Sequence, residues 1–338
     1  MQLTFERKKM QLRHTWRISR GATNEKEYWF VALEDQEITG YGEAAHNTRY
    51  GEDLESIRAF LSEAQSVFAK ADPMEFYEIN RKIHRLADGQ NAAKAALNMA
   101  LLDWVGKKLR VPVYQLLGLS PKTKALSSYS IGIDSPEKVQ ELVQAASDYP
   151  ILKIKLGGAN DKETVRAIRE VTDRTIRVDA NEGWETGSEA LEMIEWLAAK
   201  NVEFVEQPLP AGKFDEVGWL KRRSPLPIVA DEDVLTARDI PKLAECYDGI
   251  NIKLMKAGGI LEAKHMIETA RLFDLKIMLG CMVESSLGIT AAAQLAPLVD
   301  WLDLDGNLLI KNDPFKGAFM AKGRIAPPAK KGLGVERK

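Results

Sequence analysis

The 338-residue sequence predicts an α/β fold: a (β/α)7β modified TIM barrel preceded by an α+β capping domain. Three observations predict it. A block of strands followed by a block of helices fills the first third. A steady beat of short apolar segments alternating with amphipathic helical stretches fills the rest. Charged residues crowd at the C-terminal ends of those segments rather than being scattered along them.

The opening ~45 residues carry strand texture. Positions 3–19, 27–34 and 37–43 mix Trp, Tyr, Phe, Val and Ile, with an acidic turn at Glu34–Glu37 and glycines at Gly40 and Gly42. Helical periodicity then runs over Asp53–Phe68, Pro73–Leu86 and the Ala-rich Asn91–Leu109. From about residue 125 the beat begins with a strand at 125–131. The next strands end at Lys155, Asp179, Glu206, Asp231, Lys253, Gly280 and Asp305, spaced 22 to 27 residues apart. One strand-helix unit of an eight-stranded barrel takes about 30 residues. No long helix follows the last strand; a Pro/Gly-rich tail does. The expected division is residues 1–122 for the capping domain, completed by tail 312–338, and residues 123–311 for the barrel.

Side-chain parity sorts the strands. Leu152, Ile154 and Leu156 share one face while Lys153 and Lys155 share the other. Ile176 and Val178 oppose Arg177 and Asp179; Ile228 and Ala230 oppose Asp231; Ile250, Ile252 and Leu254 oppose Asn251 and Lys253; Leu302 and Leu304 oppose Asp303 and Asp305. An antiparallel sheet with one wet face would also alternate, but its charges would fall anywhere along the strand. The C-terminal ends of barrel strands form the active-site mouth, so the charged series belongs there.

Asp179, Glu206 and Asp231 come from three adjacent strands. Three converging carboxylates repel one another unless a cation sits among them, and oxygen-only ligation suits a hard ion, Mg²⁺ before Ca²⁺ or Zn²⁺. Lys155 and Lys253 end strands four apart in a ring of eight and so face each other across the mouth. A lysine acts as a base only when neutral, so its pKa must fall; burial and nearby positive charge both push it down. A carboxylate substrate bound at the metal would set its α-carbon between the two amines, one removing the proton and the other returning one on the opposite face. Lys153 adds positive charge near the developing anion. Asn181 and Glu232 are positioned to orient the metal ligands or a lysine.

Bulk properties narrow the alternatives. Lys and Arg total 47 against 49 Asp and Glu, for a net charge of −2, so neither nucleic acid nor an anionic membrane is an expected partner. No apolar run reaches the ~20 residues of a membrane span. The N-terminal stretch lacks the apolar core of a signal peptide, and the two cysteines, Cys246 and Cys281, lack metal-type spacing. A cytoplasmic protein is expected. The histidines His14, His46, His84 and His265 show no catalytic spacing, and no glycine-rich phosphate loop is present.

The series Lys153-Ile-Lys155, VDAN around Asp179, EQP at Glu206, ADED at Asp231 and NIKLMKAGG at Lys253, with GYGEA at 40–44 and GLGV at 332–335, resembles the muconate-lactonizing-enzyme subgroup of the enolase superfamily over essentially the whole chain. The resemblance implies the capped barrel, a Mg²⁺ site and the lysine roles above. Asp303-Leu-Asp305 resembles the motif with which dipeptide epimerases hold a substrate's N-terminal amine. It implies an isomerase acting on a small-molecule dipeptide by two-base proton exchange. The segment Arg17–Asn24 matches the loop that closes over substrate. Within it Arg20 aligns with the arginine that receives an acidic side chain in Ala-Glu epimerases, which implies L-Ala-D/L-Glu, a murein-peptide fragment. Ser130 stands where relatives often carry Thr, and Met282 and Val283 are expected to line the pocket.

Other readings stay open at this point. They are an o-succinylbenzoate synthase, muconate cycloisomerase or N-acylamino acid racemase of the same subgroup, a Schiff-base aldolase using Lys155 or Lys253, and a non-catalytic barrel. A homo-oligomer is an expectation by fold analogy alone.

Overall fold

The computed structural model describes residues 1–35 and 37–338. Gln36, inside the expected Glu34–Glu37 turn, lies outside the described residues. Three antiparallel strands open the chain: β1 (Gln2–Ile18), β2 (Gly21–Asp35) and β3 (Ile38–Ala44), in the order β1-β2-β3. Residues 21–26 continue β2, and only Ser19 and Arg20 separate it from β1. The segment expected as a loop over Arg17–Asn24 is therefore the tip of a long hairpin. Arg17 pairs with Ala22 and Ile18 with Gly21, and backbone pairing to the tip replaces loop freedom.

Helices α1 (Leu54–Phe68), α2 (Phe76–Leu86) and α3 (Asn91–Leu109) follow. Asp53 caps α1 by accepting from the Ser56 amide, while Ser56 returns a bond to the Asp53 amide. Pro73 begins a short 3₁₀ turn rather than α2 itself, since the proline suits a first turn but cannot donate. Helix α3 is buried from Ala92 to Gly106 because it lies between the first sheet and the barrel. Its close seat explains two strand glycines. A Cβ at Gly40 would stand 2.0 Å from the Ala100 carbonyl oxygen, and one at Gly42 would stand 1.9 Å from that of Ala96.

A short helix α4 (Val113–Leu116) leads to the barrel. Its eight parallel strands are β4 (Tyr129–Ile131), β5 (Ile151–Lys155), β6 (Thr175–Asp179), β7 (Val202–Glu206), β8 (Ile228–Ala230), β9 (Gly249–Lys253), β10 (Lys276–Gly280) and β11 (Trp301–Asp303), hydrogen-bonded in sequence order. The ring closes where Ser127 bridges Leu302 and the Ser128 amide donates to the Leu302 carbonyl at 3.0 Å. Between the strands lie α5 (Pro136–Ala145), α6 (Asp161–Val171), α7 (Gly187–Ala198), α8 (Phe214–Lys221), α9 (Ile240–Cys246), α10 (Leu254–Ala257) with α11 (Ile260–Leu272), and α12 (Ser286–Ala293). That makes seven strand-helix units and a final strand without its helix.

The barrel interior is layered by parity. Phe204, Val229 and Met278 form a buried apolar cluster with Trp301 packed on it. Two residues further along three of those strands stand Glu206, Asp231 and Asp303. The hydrophobic plug sits below the charged layer and keeps water from one side of it.

After β11 the chain returns to the first sheet. The Lys311 amide donates to the Gln11 carbonyl at 2.8 Å, and Phe315 stacks on Phe30 with ring centroids 5.8 Å apart. Strand β12 (Phe315–Lys316) pairs with β15 (Glu336–Arg337), while β13 (Phe319–Ala321) pairs with β14 (Arg324–Ala326). Among the described residues no helix is long and apolar enough to cross a membrane.

Candidate active site

Asp179 and Glu206 terminate β6 and β7, and Asp231 follows β8 by one residue. All three are buried, at 0%, 0% and 1% exposure, and their carboxylate oxygens lie within 4.8 Å of one another. Neighbouring groups aim each of them. The Asn181 amide donates to Asp179 Oδ1 at 3.0 Å, Asn251 Nδ2 donates to Glu206 Oε1 at 2.7 Å, and Lys256 Nζ meets Asp231 Oδ1 at 2.5 Å.

Three lysines approach this triad. Lys155 Nζ donates to Asp179 Oδ2 at 2.5 Å from the β5 side, and Lys253 Nζ donates to Asp231 Oδ2 at 2.7 Å from the β9 side. Strands β5 and β9 stand four apart in the ring of eight, so the two amines flank the carboxylates from opposite walls. Lys153 is buried beneath and bridges Glu206 at 2.6 Å, Asp303 at 2.7 Å and Asp179 at 3.1 Å.

Electrostatics differ among the three acids. Burial works to raise Asp179, but Lys155 and Lys153 outweigh it and hold the carboxyl at about 2. Glu206, buried and pressed by the Asp179 charge, rises to about 7 despite Lys153. Burial also opposes the charge on Lys253, yet Asp231 beside it keeps the amine above the usual lysine range.

The donor set fits a hard divalent cation. It consists of oxygen alone, and the three carboxylates converge within 4.8 Å of one another in a buried layer. A cation of that kind would be held by Asp179, Glu206 and Asp231.

A pocket with a cavity volume of about 120 Å³ lies over this layer. Its barrel wall includes Lys153, Lys155, Asp231, Lys253, Asp303 and Asp305, with Ser130, Asn181, Glu232, Met282 and Val283. Its roof is formed by Trp16, Ile18, Arg20, Lys26 and Tyr28 of the hairpin, with His46, Asn47 and Tyr50. Asp303 does not stand apart from the triad, since Lys153 ties it there. Asp305, one residue pair beyond the end of β11, accepts from the Ser130 amide at 2.5 Å and from Ser130 Oγ at 3.2 Å. Burial and the Asp303 charge push Asp305 up to about 7.

This order of metal-type acids and lysines can be compared with known proteins. Residues 2–118 match the family described as "Mandelate racemase / muconate lactonizing enzyme, N-terminal domain", and residues 135–338 match "Enolase C-terminal domain-like". The chain belongs to this family. An L-Ala-D/L-amino acid epimerase of Pedosphaera parvula is 44% identical over all of both chains. An L-Ala-D/L-Glu epimerase of Bacteroides thetaiotaomicron is 40% identical over 99% of this chain and 88% of that relative. A dipeptide epimerase of Enterococcus faecalis, solved with Mg and L-Leu-L-Tyr, superimposes with a TM-score of 0.92 at 30% identity, covering 99% of this chain and 98% of the other.

Within the family frame, every residue singled out from the sequence lies in or directly beneath the one pocket. Three partners of the triad were not singled out. Asn251 shares the inward parity of Lys253 and was legible from that alternation. Lys256 sits in a helix of four residues after β9, so strand parity gave no hint of it. Gln207 follows Glu206 with a left-handed φ of 38°, which turns its side chain so that Oε1 accepts from the Asp231 amide at 3.0 Å. Arg20 lines the pocket, but its guanidinium is engaged: Nη1 lies 3.0 Å from Glu182 Oε2 and Nη2 lies 2.7 Å from Glu232 Oε1.

Proposed function

We propose that the chain is a Mg²⁺-dependent dipeptide epimerase that inverts the α-carbon of the C-terminal residue, with an Xaa-Glu dipeptide such as L-Ala-D/L-Glu as substrate. One observation carries this reading: two lysine amines flank a buried carboxylate triad from opposite walls, in a pocket that also holds a second acid pair. Asp179, Glu206 and Asp231 would hold Mg²⁺, which would supply positive charge to acidify the α-proton and stabilise charge developing on the substrate carboxylate.

The chain's own residues do the rest. Lys155 and Lys253 exchange the α-proton on opposite faces, each acting as base in one direction and acid in the other. Lys153, buried among Glu206, Asp179 and Asp303, holds its ammonium beneath the developing anion. Asp303 and Asp305 offer carboxylates to the substrate ammonium, and Ser130 fixes them through its amide and hydroxyl. Asn181 and Glu232, joined at 3.3 Å, brace the Asp179 and Asp231 loops, while Met282 and Val283 close the apolar side.

The division into a capping unit, 1–122 with tail 312–338, and a barrel, 123–311, accords with this. Roof residues come from the former and reacting groups from the latter. Free Cys246 and Cys281 suit a reducing cytoplasm.

The test is ¹H NMR in D₂O with Mg²⁺ against a dipeptide panel. Deuterium should enter only the α-position of the second residue. Exchange at the first residue, or in no dipeptide, would refute the assignment.

A further inference from the structure

Strand β2 alternates its side chains, so Lys26 and Tyr28 face the pocket while Glu25 and Glu27 face away. The two acids are already engaged, Glu25 with Lys9 at 2.6 Å and Glu27 with Arg7 at 3.0 Å. Lys26 lines the roof of the pocket beside Trp16, Tyr28 and His46, and it makes no hydrogen bond or ion pair with any described residue. Burial alone pushes its amine below the usual range, with no acid near enough to compensate. Next to it His46 Nδ1 is buried without a partner, and the Lys26 charge adds to the burial that lowers the imidazole's pKa.

A partly buried cation without a counter-charge calls for an anion when a ligand fills the pocket and completes its burial. Arg20 differs, because Glu182 and Glu232 already neutralise its guanidinium. The geometry thus separates two basic residues of the roof. One is a strut that ties the hairpin tip to the barrel, and the other is a free positive charge over the cavity.

We propose that Lys26, rather than Arg20, is the specificity-determining residue that receives an anionic side chain on the C-terminal residue of the dipeptide. This rests on the epimerase reading and sharpens it: the preferred substrates are Xaa-Glu and Xaa-Asp, with His46 offering a second polar contact.

Calorimetric binding of L-Ala-L-Glu and its uncharged isostere L-Ala-L-Gln to the Mg²⁺-loaded protein tests it, alongside α-proton exchange of both. A charge-assisted contact predicts that wild type favours the Glu dipeptide by about 10- to 100-fold. Lys26→Met should bring the two within about twofold by weakening the Glu dipeptide alone, and Lys26→Arg should restore the preference. Equal binding of the two by wild type, or a preference that survives Lys26→Met, would overturn the proposal even if exchange is observed. A Lys26-dependent preference without α-exchange would keep Lys26 as the receptor and refute the epimerase reading. Binding of neither dipeptide would remove both.

Discussion

At the residue scale, the pocket is organised by ion pairs whose members do different jobs. Asp303 is buried, held by Lys153 at 2.7 Å and by Ser128 Oγ at 2.8 Å, and it is offered as a receptor for an ammonium. Asp303→Asn should therefore lower kcat/KM for a free dipeptide by about 10- to 100-fold, as expected for loss of a charged hydrogen bond. An N-acetylated analogue, which has no ammonium, should be affected far less. Steady-state kinetics on the two substrates check this, and equal losses on both would assign Asp303 to supporting Lys153 alone. Lys256 acts at one remove through Asp231. Lys256→Met should weaken Mg²⁺ affinity by about 10-fold or more, read by a metal-dependent thermal shift. The inward lysines and acids were legible in the sequence because strand parity and the C-terminal position of charges are both local signals. The engagement of Arg20 was not, because Glu182 and Glu232 lie on loops whose approach depends on how the hairpin seats on the barrel.

At the scale of elements, the close seating of α3 on the first sheet is what brings hairpin and barrel into one body. Gly40→Ala would place a methyl carbon 2.0 Å from the Ala100 carbonyl, and helix or strand must move. Destabilisation of about 1–3 kcal/mol or more is expected from such overpacking. Thermal unfolding would show a lower midpoint for Gly40→Ala, whereas a Cβ at Gly218 on α8 would meet only ordinary contacts of 3.6 Å or more. The barrel's beat and its seven helical connections were readable from spacing, and strand ends at Lys155, Asp179, Glu206, Lys253 and Gly280 agree with the structure. Strand β8 stops one residue before Asp231 and β11 stops at Asp303, since hydrogen bonding rather than side-chain parity ends a strand. The hairpin tip departs furthest from expectation: Gly21 and polar neighbours signal a loop locally, while pairing with β1 decides otherwise.

For the whole molecule, a buried carboxyl pair joins the capping unit to the barrel. Glu43 on β3 accepts from the Ser285 amide at 2.9 Å, from Ser285 Oγ, and from the Gly288 amide at 3.1 Å at the start of α12. Burial raises Glu43 to about 7, and burial with the Glu43 charge raises Glu284 to about 8. Tyr28, Cys281, Asp313 and Lys253 are the other titratable groups facing this pair. A carboxyl whose folded pKa exceeds its unfolded value stabilises below the unfolded value near 4.5. That contribution fades as pH rises toward the folded value. Stability should fall between pH 5 and 8 by on the order of 3 kcal/mol per group. Glu284→Gln should flatten the fall in denaturant titrations, and an unchanged slope would exclude the pair as its source. The chemistry itself depends on amines reaching one carbon from two sides. The most direct measurement is α-proton exchange of L-Ala-L-Glu in D₂O with Mg²⁺ by wild type, Lys155→Ala and Lys253→Ala. Wild type should deuterate and invert the glutamate α-carbon, and each variant should lose inversion by about a thousandfold or more; full inversion by either variant would contradict the two-amine arrangement.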